Sequence, residues 1–217
     1  MISSMLLPLK ETMHSISQGL LMPVIAILLL FIAAAIIEAG GILAEAVLER
    51  RRAKVNVPDL INQFQGKDAS ALLEVVETSQ LYKRQKKALS EMIEQSDLPT
   101  ASLMALSRRL LTAEELHYVK VTNRTDLIAR LGPMFGLMAT LIPLGPGLIA
   151  LGQGDTKTLA ESLLTAFDAT VAGLGAAGVA FAISKLRKRW YEDYLSSLEA
   201  LMESLLEVFA HDRGAEK

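Results

Sequence analysis

Three stretches of the chain are apolar almost without interruption, and the rest alternates at helical spacing. Residues 20–37, LLMPVIAILLLFIAAAII, carry no charge, and residues 131–154 carry none either. Residues 163–184 carry one, Asp168. A bilayer's hydrocarbon core, about 30 Å thick, needs roughly 20 helical residues, so each run is long enough to span it. The second and third runs are separated only by the polar turn GQGDTKTLAES. Two spans joined that closely form an antiparallel hairpin. The first run lies near the N-terminus, but no basic cluster sits tightly before it, and it exceeds the usual apolar length of a signal peptide. An uncleaved span is expected.

The remaining pattern has the period of helices. Leu72, Val76, Leu81, Leu89 and Ile93 recur at approximately helical intervals, which predicts helix over 70–94. Pro58 and Pro99, each near an aspartate, read as helix-start punctuation, and Thr112 with Glu115 fits a capping box. No strong breaker separates VTNRTDLIARL from the second run, so one long helix is expected to continue out of the membrane. Tyr191, Tyr194, Leu195, Leu198, Leu201, Leu205 and Val208 extend the third run in the same way. Ile2, Met5, Leu6, Leu9, Met13 and Ile16 share one helical face, which suits a short interfacial helix.

The expected fold is an all-α integral membrane protein with three transmembrane helices, the second and third extending into a cytoplasmic helical bundle. Its segments are an outward-facing interfacial helix (1–16), the first span (17–40), a cytoplasmic helical domain (41–126), the second span (127–152), an outward-facing turn (153–159), the third span (160–186) and a cytoplasmic C-terminal helix (187–217). Orientation follows from the basic residues near the span ends. Arg50, Arg51, Arg52, Lys54, Arg124, Arg130, Lys185, Arg187, Lys188 and Arg189 lie on one side, and Lys10 and Lys157 on the other. The N-terminus should face outward and the C-terminus the cytoplasm.

Composition narrows the function classes. The chain is 51% hydrophobic with a mean hydropathy of +0.34, high for a soluble domain. A net charge of -2 gives no bulk attraction to nucleic acid. With 0 cysteines there is no disulfide, thiol nucleophile or Cys-ligated metal. His14, His117 and His211 are far apart, so no metal site is expected. No nucleophile elbow or phosphate loop is present, and no enzyme or cofactor is expected. The basic residues of 84–87 and 108–109 read equally as a docking surface and as a solvated helix face.

The small residues inside the spans ask for an explanation. Gly132, Gly136 and Thr140 recur every fourth residue on the second span, and Thr170, Gly173 and Ala177 make a similar narrow face on the third. In lipid, where no hydrophobic push operates between helices, such faces allow close backbone packing. Helix packing accounts for Gly132, Gly136, Gly173 and Ala177. Thr140 and Thr170 can bond their own backbones or line an ion pathway. Asp168 is costly at this depth and is either a polar clasp to a neighbouring helix or an ion-handling group. It lies about 200° around the helix from Thr170, so the two face different ways. Pro143 and Pro146 interrupt the helical ladder near the outer end of the second span.

GPMFGLMAT followed by LAESLLTAFDATVAGLGAAGVAFAI and a basic stop resembles the MotA/TolQ/ExbB proton-channel family. Gly136, Leu137 and Thr140 match its Gly-Leu-x-Gly-Thr element, with Ala139 in place of the second glycine. Ala169, Thr170, Gly173 and Leu174 match the element of the last span, and Glu161, Ser162 and Leu163 approximate its start at a longer spacing. Asp168, Pro143 and Pro146 depart from the pattern. The three-span layout is similar to ExbB and TolQ rather than to four-span MotA. The resemblance implies a ring, a pentamer, around the single spans of a small ExbD/TolR/MotB-like partner with an intramembrane Asp. It implies that protons, or sodium, pass along that Asp and the threonines Thr140 and Thr170, driving a motor in the inner (cytoplasmic) membrane. The driven process, protein transport among others, is left open. A membrane scaffold with a cytoplasmic docking domain and no ion flux is the alternative.

Overall fold

The computed structural model describes residues 2–49 and 56–215. The arginines at 50–52 and Lys54, on which part of the orientation rests, lie outside the described residues. The described residues are 91% helical, and no strand occurs among them. In order the elements are α1 (Ile2–Ala44), a π-helical turn (Glu45–Glu49), α2 (Val57–Phe64), α3 (Ala69–Thr78), α4 (Lys83–Glu94), α5 (Thr100–Gly152) and α6 (Thr156–Ala215). Three of them, α1, α5 and α6, are long and apolar enough to cross a membrane. The fold class predicted from the pattern is therefore the one observed.

Local chemistry explains the boundaries. Pro58 sits in the first turn of α2, and Pro99 immediately precedes α5, where missing amide donors cost nothing. Thr112 is interior to α5 and caps nothing; Pro99 starts that helix instead. The expected helix over 70–94 divides into α3 and α4. Thr78 and Ser79 donate their hydroxyls to the last carbonyls of α3, at 2.8 Å to Glu74 and 2.5 Å to Val76. The amide of Tyr82 then donates to the Gln85 side chain at 3.2 Å and opens α4. Short polar side chains that bond locally offer the backbone an alternative to continued helix. Leu81, in the break, still buries its side chain. Residues 2–16, expected as an interfacial segment, are continuous with the first span in α1.

The chain forms two compact units. One holds Met1–Gly41 with Asn123–Lys185. In it α1 packs on the α5–α6 hairpin through Val24, Leu28, Phe31 and Ala35, against Ile128, Ala139, Ala176 and Ala180. The Phe31 ring meets Phe135 edge-on at 5.8 Å. α5 runs unbroken through Pro133, Pro143 and Pro146. A proline at 146 leaves the Ile142 carbonyl without its helical donor. Gln18 of α1 donates its side-chain amide to that carbonyl at 3.5 Å. Gly154, at φ 82°, turns the chain into α6, and Asp155 caps that helix by accepting the Thr158 amide at 3.0 Å. The Thr158 hydroxyl, donating to the other oxygen at 2.5 Å, and then its amide hold the Asp155 carboxyl below the usual carboxylate range.

The other unit holds Ile42–Thr122 with Leu186–Lys217. Its core is built from Phe64, Leu72, Leu89, Met92, Ile93 and Leu103 against the α6 stripe of Leu198, Leu201, Met202 and Leu205, all under 2% exposed. Arg84 bridges α4 to α5 through Glu114 at 2.8 Å. Tyr118 stacks on Tyr191 at 4.3 Å, and the Tyr82 hydroxyl donates to that of Tyr194 at 2.9 Å.

Candidate ion pathway

The α5–α6 seam of the membrane unit is closed by glycines. A methyl group on Gly173 would lie 2.7 Å from the Gly132 carbonyl and 3.0 Å from the Gly136 Cα. One on Gly132 would lie 2.8 Å from the Gly173 carbonyl and 3.0 Å from the Ala177 Cβ. Towards the turn, Gly147 would meet the Ser162 Cβ at 3.0 Å. The two helices thus touch backbone to backbone along the seam, a separation that only small residues permit.

These contacts fix where the two threonines lie. At about 100° per residue, Ala139, Gly136 and Thr140 follow one another around α5, and Ala176, Gly173 and Thr170 around α6. In each series the first faces α1 and the second faces the seam. The third, the threonine, falls on the edge of the seam away from α1. Thr140 and Thr170 also stand at the same level of the antiparallel pair. Asp126 precedes Thr140 by as many residues as Ser184 follows Thr170, and Ser184 donates a short hydrogen bond to Asp126. With 126 opposite 184, position 140 is opposite 170. Both threonines are half-buried.

The hydroxyl protons point back into the helices. Thr140 donates to the Leu137 carbonyl at 2.6 Å and Thr170 to the Ala166 carbonyl at 3.1 Å. Each oxygen keeps lone pairs for an outside donor. The pair can therefore accept from a hydronium ion, a water or a protonated carboxyl.

Asp168 is not part of this group. It is exposed on the flank of α6 that also carries Leu164, Val171 and Gly175. Gly175 has nothing within 4 Å of the place a methyl would occupy. Sequence reasoning passed over Asp126 and Ser184, whose shared spacing with the threonines is visible only once the hairpin is known to be antiparallel. It also passed over Glu45, which accepts from the buried Arg187 at 3.3 Å beside Tyr191. No cluster of three metal-ligating side chains occurs among the described residues.

A comparison with curated proteins finds no significant match. The family model described as MotA/TolQ/ExbB proton channel family matches residues 77–200, which takes in all of α4 and α5, the turn and the greater part of α6. With a hairpin of small-residue spans, paired threonines at one level and a matched segment covering more than half its length, this multi-pass membrane chain belongs to the MotA/TolQ/ExbB proton channel family.

Proposed function

We propose that the protein is the ring-forming subunit of an ion-driven motor, with the α5–α6 edge carrying Thr140 and Thr170 lining a central passage. The reading rests chiefly on the opposition of the two hydroxyls. Both spend their protons on their own helices and both lie on the edge that α1 leaves uncovered. Only 22% of the most apolar window of α1 and 33% of those of α5 and α6 are buried within one chain. Lipid, further copies and a partner span must cover the remainder. A homo-pentamer, the family's arrangement, would bring five such edges around a lumen. The ion is a proton, with sodium as the alternative, and the lumen holds a small single-span partner of the ExbD/TolR/MotB kind. Its intramembrane Asp exchanges its proton against hydroxyl oxygens that can only accept. Gly132, Gly136, Gly173 and Ala177 keep each hairpin thin, and Asp168, on the other flank of α6, acts as a polar clasp towards a neighbouring helix. Membership of the inner membrane, with the N-terminus outward and the C-terminus cytoplasmic, belongs to the same reading.

Proton flux into vesicles carrying the protein with its single-span partner tests it. Val keeps the branched shape of Thr and removes the hydroxyl. Partner-dependent flux should fall by about tenfold or more in Thr140→Val and in Thr170→Val, with the ring still assembled. Flux unchanged by both substitutions would refute the lining assignment. A wild type without flux under either a proton or a sodium gradient would favour a scaffold.

A further inference from the structure

Four helical turns from the threonines, the same edge of the hairpin carries a second polar pair. Asp126 lies within about 40° of Thr140 around α5, and Ser184 within about 40° of Thr170 around α6. The two pairs are about 21 Å apart along the helices. Between them the edge holds Pro133 and Leu137 on α5 and Ala177 and Phe181 on α6, and Arg130 lies one turn from Asp126 beside this edge. Ser184 is 2% exposed and donates its hydroxyl to one carboxylate oxygen of Asp126, which is half-buried. Thr125, next to it, is fully buried. This end of the unit is where α5 enters the membrane and α6 leaves it, cytoplasmic in the orientation proposed above.

From this register we infer that Asp126, oriented by Ser184, is the carboxylate through which the proton passes between the threonine level and the inner aqueous side. The inference rests on the ion-conducting reading of the seam. The step is a plain proton relay. A hydronium ion reaching the inner end gives its proton to Asp126 and becomes water. The carboxyl then gives the proton to water on the cytoplasmic side and is again a carboxylate. Ser184 supplies a donor to the charged form and so keeps the acceptor oxygen turned to one place. The threonines cannot do this work, because an alcohol oxygen takes an extra proton only in strong acid, whereas a carboxylate takes one reversibly at ordinary acidities, around pH 4 when unperturbed. The charged residues near this end of the unit are Glu38 on α1, Arg124 and Arg130 on α5, and Lys185 on α6.

A purely structural role, fixing the hairpin register, makes the opposite prediction for one substitution. Asn at 126 still accepts from Ser184 but takes no proton. In vesicles carrying the protein with the single-span protein that co-purifies with it, Asp126→Asn should lower flux by about tenfold or more. Flux is counted per assembled ring, so that a change in stability alone does not lower it. Asp126→Glu should restore part of the flux with a displaced pH profile. Ser184→Ala should retain flux, also with a displaced profile. Wild-type flux in Asp126→Asn, beside a lost flux in Thr140→Val, would overturn this inference and leave the lining intact. A wild type with no flux would overturn both.

Discussion

Gly173 and Gly175 are two residues apart on α6 and should respond oppositely to the same added methyl. At Gly173 the methyl would sit 2.7 Å from a carbonyl of the facing helix, and backbone cannot step aside as a flexible side chain would. Forcing extra volume into a packed contact costs about 1–3 kcal/mol. At Gly175 there is open space, and alanine is the better helix former by about 0.5–1 kcal/mol. Thermal melts of the detergent-solubilised protein should therefore show a lower midpoint for Gly173→Ala and none for Gly175→Ala. Equal losses at both positions would mean that Gly175 is itself a contact between copies. The Gly-x-x-x-Gly spacing made the seam readable in the sequence, because glycine in a span has few other uses. Asp126 was not readable in the same way. A carboxylate between Arg124 and Arg130 looks like ordinary charge at a membrane boundary, and its meaning depends on Ser184, which the hairpin brings to it from the other helix.

Among the elements, the π-helical turn after α1 shows how a helix end is held. Its Glu45 accepts from Arg187 of α6 at 3.3 Å, and both side chains are largely buried. Burial in the first place, and the neighbouring Glu45 carboxylate after it, push the Tyr191 hydroxyl well above its ordinary value. An acid whose folded value is raised stabilises the fold below its unfolded value, about pH 10 for tyrosine, and that contribution is lost as pH rises through the folded value. A spectrophotometric titration should show a tyrosine step well above the ordinary value, and Tyr191→Phe should remove it. Removing Arg187 would strand Glu45 beside the phenol, and breaking a buried pair costs about 3–5 kcal/mol. Arg187→Ala should then unfold at markedly lower denaturant. The long helices α5 and α6 were legible because apolar periodicity carries on past the span ends. The division between α3 and α4 was not, since it turns on hydroxyls of Thr78 and Ser79 that a spacing rule treats as neutral.

At the scale of the molecule, orientation is the property on which the direction of ion flow depends. The basic residues near the span ends crowd one side, and moving them across a membrane is what the insertion machinery resists. Lys157, in the first turn of α6, is the basic residue nearest the turn between α5 and α6. That turn should face outward, and the exposed flank of α6 near Glu203 should face the cytoplasm. The chain has 0 cysteines, so single-cysteine variants report position without background. Gln153 and Glu203 are both exposed, and neither is a basic residue whose loss would itself disturb the topology. A membrane-impermeant maleimide added to intact cells should label Gln153→Cys at once and Glu203→Cys only after the membrane is opened. The reverse pattern would invert the molecule. Asp126 would then stand at the outer mouth of the seam, where it would load protons rather than release them, and the Thr140–Thr170 pair would remain where it is.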